Sequence, residues 1–264
     1  MVVNFPVNIH RKASVVAVIV FLACVPHVAQ LVVPKKPFRQ WTEAEVTKIL
    51  NDSAWAKTQA IRVLRRKQMR SVAGQVSEVP TASTPDPHVA LGGAEDAVDY
   101  RFTIRLRSAR PVREAIVRLV QLESKYDQLL PEQQKSIDEQ TRELLECNEC
   151  RDNYIVSVGF GSLNSKNVDL VFDWFKGQTV ASLKGYIHLA NELGERRDLI
   201  NFIAPKVPGD EVFFFFARLD ERGKPLITSR NKKLLFRMSD KNASSVTNFN
   251  LDVAKMILDD KPEL

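Results

Sequence analysis

Cys147 and Cys150, in "ECNECRDNY", are the residues of this chain whose type and spacing most readily suggest chemistry. A Cys-x-x-Cys pair can cycle electrons, supply thiolates to a metal, or close a small disulfide. A redox centre places its attacking thiol at a helix N-terminus, where the positive end of the helix dipole favours thiolate. Here the order is reversed. The pair follows the helical stretch "EQTRELLEC", and Glu143, Glu146 and Glu149 add negative charge around it. Zinc needs further ligands, and past residue 29 the histidines are His88 and His188, far apart in the chain. No metal or cofactor site is expected. A local disulfide between Cys147 and Cys150 fits best, and it implies an oxidising compartment.

The second feature with binding potential is "AVDYRFTIRLRS", residues 97–108. Val98, Tyr100, Phe102, Ile104 and Leu106 alternate with polar residues, the period of a half-buried strand. Arg101, Arg105 and Arg107 therefore share the outer face. They form either a surface facing an anionic ligand or a wet sheet face paired with acids nearby. Other catalytic patterns are missing. There is no G-x-S-x-G elbow and no phosphate-binding loop, and "GFGSLN" matches a dinucleotide fingerprint poorly. Asp169 with Asp173, and Asp259 with Asp260, have the spacing of solvated faces and tails. No catalytic residue is assigned.

The most specific signal is the leader. His10, Arg11 and Lys12 precede an unbroken apolar run from Ala13 to Cys24, and Pro26, His27 and Ala29 follow. That is the order of a secretory signal peptide, and the run falls short of the ~20 residues that cross a bilayer. "FLAC", residues 21–24, also resembles a lipobox with Phe21 in place of Leu, making Cys24 a lipidation candidate.

Composition narrows the partners. The chain has 264 residues, 44% of them hydrophobic, enough for a sizeable core. Two of its 38 basic residues lie in the acid-free leader, leaving 36 against 32 acids. That excess is too dispersed for a nucleic-acid surface, even counting "RVLRRKQMR" at 62–70. Any membrane contact is expected through the leader or a lipid anchor alone.

The elements follow from local signals. "WTEAEV" offers a capping box, Thr42 with Glu45, opening a helix that buries Val46, Ile49 and Leu50. Trp41 and Trp55 read as packing anchors. Pro111 and Pro131 open two further helices, expected to form a hairpin. "NVDLVFDWFKG" fits helix and strand alike, with Asn167 and Gly177 favouring helix. "SLKGYIHL", "LINFIA", "EVFFFFARL", "KKLLFRM" and "VTNFNLDV" read as strands. The expected fold is α+β, an antiparallel sheet, β-rich in its last third, with the helical hairpin packed on one side. The expected organisation is a signal peptide over 1–29, a helix and strand segment over 30–70, a Pro/Ser/Gly-rich linker or long loop over 71–96, and the main domain over 97–264.

The leader, "WTEAEVTKILNDSAWAK", the strand running into "SARPVREA", and "LDVAKMILDDKPEL" together resemble a class of uncharacterised secreted bacterial proteins with a W-T…S-x-W-A helix after the signal peptide. The resemblance implies export and transfers no site. The expected function is that of an exported, non-enzymatic periplasmic or secreted protein that binds or scaffolds, with another envelope protein as partner. The alternatives are an exported hydrolase using carboxylates, and a membrane-anchored lipoprotein through Cys24.

Overall fold

The fold starts from a helix whose first turn closes on itself. The computed structural model describes residues 33–72, 75–82, 96–228, 230–239, 246–258 and 261–264, and the leader with Cys24 lies outside them. The Glu45 amide donates to the Thr42 hydroxyl, and the Thr42 amide donates to the Glu45 carboxylate at 2.7 Å. These bonds satisfy amides that the start of α1 (Glu43–Asn51) leaves without helical partners. Val46, Ile49 and Leu50 then turn into the core. Trp41 and Trp55 are buried beside them, and each indole N–H finds a backbone carbonyl, at Lys36 and Glu263 respectively. Both tryptophans are packing anchors.

α2 (Arg110–Glu123) has Pro111 in its first turn, where the missing amide costs nothing, and it buries Val112 and Ala115 in the same core. α3 (Pro131–Glu146) touches α2, yet Thr141 is its one buried residue. α1 and α2, more than α3, therefore cover the core, and Phe175 and Leu183 join it from the later helices. α4 (Ser165–Lys176) resolves the ambiguous "NVDLVFDWFKG" as helix, capped by Asn164 instead of Asn167, whose side chain is buried. The short α5 (Val180–Leu183) occupies the start of "SLKGYIHL".

Among the described residues, nine strands form one antiparallel sheet: β1 (Ala56–Val72), β2 (Gln75–Ala82), β3 (Asp96–Leu106), β4 (Asn153–Ser162), β5 (Ile187–Asn191), β6 (Arg196–Ile203), β7 (Val212–Ala217), β8 (Lys233–Ser239) and β9 (Val246–Asp252). Their order is β2-β1-β3-β4-β7-β6-β5-β8-β9, and β9 comes back into contact with β1. The sheet is thus a near-closed barrel, where the sequence suggested only an antiparallel sheet. Twist accumulated over so many strands brings the two ends together, a property of strand number and register that no single segment encodes.

One boundary differs from the sequence reading. Part of the expected linker is sheet, with β2 pairing β1 from Arg65↔Ala82 to Val72↔Gln75. Pro80 is tolerated there because β2 ends the strand order and needs ladder bonds on one side only. Residues 83–95, with His88, lie outside the described set. The 30–70 segment packs on the main domain, as α1 shares one core with Ile104 and Leu106 of β3.

The unbroken block Phe213–Phe216 explains why β7 sits centrally. Phe214 and Phe216 point into the barrel, fully buried, against Phe236. Phe215 is buried on the opposite face against Ile155 and Cys150. Both faces of β7 are covered, as a run without alternation requires.

Candidate functional site

The alternation of β3 sends Ile104 and Leu106 into the barrel and leaves Arg101, Thr103 and Arg105 on its outer face. Register carries that face sideways. Arg105 lies opposite Ser157 of β4, and Ser157 lies opposite Phe213 of β7. Glu211, the residue before β7, reaches the same place.

Arg105 is held on three sides. Its Nε donates to the Leu50 carbonyl at 2.7 Å, one terminal nitrogen donates to Asn51 Oδ1 at 2.9 Å, and the other donates to Glu211. Arg107 stands 3.6 Å from the second Glu211 oxygen and lies over the Phe213 ring, 5.3 Å from its centre. Burial pulls its guanidinium below the usual arginine range, the Glu211 charge opposes that, and Arg105 adds to it. Arg101 remains exposed, and its side chain has no hydrogen bond or ion pair among the described residues. Of the three arginines, the fold brings two together, on an acid that sequence reasoning missed. Glu211 heads the strand segment "EVFFFFARL" with the parity of Phe213 and Phe215, but that β7 lies two strands from β3 is not visible locally.

The cysteines meet the same face. Cys147 caps α3 in the left-handed conformation, with φ of 40°, and Cys150 is buried in the 3-10 turn Asn148–Arg151. Their Cα atoms are 5.3 Å apart and the sulfurs form a disulfide. Cys150 packs on Ile155 and Phe215, so the clip covers the outer face of β4 and β7. Closing so short a loop constrains the unfolded chain modestly. Reduction, or Cys147→Ser with Cys150→Ser, is expected to cost about 2 kcal/mol of stability, read as a lower urea midpoint.

A depression of about 560 Å³ lies along β6 and the turn after β7, lined by Arg196, Arg197, Asp198 and Asp220 among others. Two of its acids are braces. Arg196 Nε donates to Asp198 at 2.6 Å. Asp220 accepts the amides of Lys224 and Arg222, bonds that hold its carboxyl below the usual range. A general acid needs the opposite shift.

His188, on β5, lies opposite Asp198 and Arg237. Burial lowers its pKa first, and Arg196 and Arg237 lower it further against the pull of Asp198. A histidine depressed in the fold binds fewer protons than in the unfolded chain. Its folded form therefore loses relative stability as pH falls through the ordinary value of 6.5. Urea midpoints should decline from pH 7.5 to 5.5, and His188→Gln should flatten that slope. No group of His, Cys, Asp and Glu able to hold a metal occurs among the described residues.

No family model and no curated protein matches the sequence. The chain is similar to one solved structure, a novel protein of unknown function from Burkholderia pseudomallei K96243. The likeness has a TM-score of 0.40 at 10% identity, over 57% of this chain and 74% of that one.

Proposed function

We propose that the chain is exported through its leader and acts outside the cytoplasm as a non-enzymatic envelope protein that binds or scaffolds a partner. The observation that carries the reading is the Cys147–Cys150 disulfide, because such bonds persist where thiols are not kept reduced. The basic-apolar-small order of residues 10–29 supports the same compartment. The binding role is supported by what the acids do. Asp198 and Asp220 are each engaged by an arginine or by backbone amides, an arrangement that suits structural bracing better than proton transfer. Another envelope protein is the proposed partner, and no described helix is long and apolar enough to cross a membrane.

The mass of the mature N-terminus, taken from the native host, tests export. A chain beginning near Gln30 is the expected result. One beginning at a diacylated Cys24 would make it the lipid-anchored version of the same reading. A cytosolic chain still carrying Met1 would overturn it.

A further inference from the structure

We infer that Arg105 and Arg107 form a carboxylate-binding site on the outer sheet face, occupied from within by Glu211, and that an acidic ligand binds there by exchanging with the Glu211 side chain. This rests on the binding half of the proposed function and is independent of export. Two guanidiniums converge on one carboxylate, so the cluster keeps an excess positive charge at side-chain exposures of only 17–20%.

Arg105 does not rely on Glu211 for its position. The Leu50 carbonyl and Asn51 orient Arg105, leaving its remaining terminal nitrogen directed at the carboxylate. The Phe213 ring supports Arg107. A site so held loses little freedom when a new anion arrives, and planar guanidinium suits carboxylate geometry.

One further feature favours exchange. Glu211 arrives from a turn that holds its own shape. The Asp210 carboxylate accepts the amides of Lys206 and Val207 at 3.1 and 3.0 Å, and Gly209 takes the positive φ of 95° that the turn requires. Glu211 can swing out without unmaking that turn.

The test uses the full chain with acetate as probe and chloride at equal ionic strength as reference. Glu211→Ala leaves the two guanidiniums unoccupied, and its melting temperature should rise saturably with acetate. The wild type, with Glu211 competing at high effective concentration, should need roughly tenfold more acetate for the same shift. The double variant Glu211→Ala with Arg107→Ala should lose the response. Should Glu211→Ala not fold, Glu211→Gln keeps the shape without the charge, and acetate binding to it is read by calorimetry. Failure of both Glu211 variants to distinguish acetate from chloride, or an undiminished response in the double variant, overturns the site. Neither result bears on the mature N-terminus, so the two readings fail separately.

Discussion

Phe214→Ala is expected to be the most damaging single truncation in the sheet. Phe214 is fully buried at the centre of β7, with ring centres 5.7 Å from both Phe202 and Phe236 and 6.1 Å from Phe175. Removing it takes away the apolar contact of one ring and leaves a cavity that four elements share. β6, β8 and α4 cannot all move inward, because each is tied by its own ladder or cap. The cost should be about 4 kcal/mol, with a Tm lower by roughly 10 °C. Phe215→Ala, on the outer face against Ile155 and Cys150, should cost less because its small cluster lies nearer solvent. Equal losses for the two variants, measured by urea unfolding, would contradict a core centred inside the barrel.

Arg218→Ala should be the most damaging loss of a polar side chain. Arg218 follows β7 and ties three distant pieces together. Its Nε donates to the Cys150 carbonyl at 2.8 Å, a terminal nitrogen donates to the Leu264 carbonyl, and its guanidinium lies 4.8 Å over the Tyr154 ring. Burial lowers the Arg218 pKa, while Tyr154 and Glu263 are the main influences raising it. Truncation leaves two carbonyls without these donors and frees the C-terminal segment, whose Glu263 carbonyl also accepts from Trp55. Charge-assisted bonds of this kind make the expected loss about 3 kcal/mol. Arg218→Lys should recover little of it, since a single ammonium cannot span both carbonyls and stack on Tyr154. A loss within about 0.5 kcal/mol of wild type would show that the C-terminal segment docks by apolar contact alone.

What could be read in the sequence depended on how local each signal was. The Thr42–Glu45 box, the prolines opening α2 and α3, and the alternation of β3 act within a few residues, and they are found where those signals place them. Barrel near-closure was not legible, because it depends on β9 meeting β1 across the whole chain. β2 was hidden by composition. Pro80, Ser77 and Thr81 look like linker residues, and an edge position makes Pro80 acceptable in a strand. In the candidate site, the arginines were visible and their partner was not. Arg105 and Glu211 are 106 residues apart, and nothing short of the strand order brings them together. The cysteines were legible for the opposite reason, being close in sequence at the end of a helix that disfavours thiolate.

The most direct measurement is thiol alkylation of the native protein in intact host cells, followed by reduction and a second, mass-distinct alkylation. Cys147 and Cys150 should escape the first reagent and take up the second, on a chain that lacks its leader. Both cysteines labelled by the first reagent, on a chain that keeps its leader, would contradict export and the oxidised clip together.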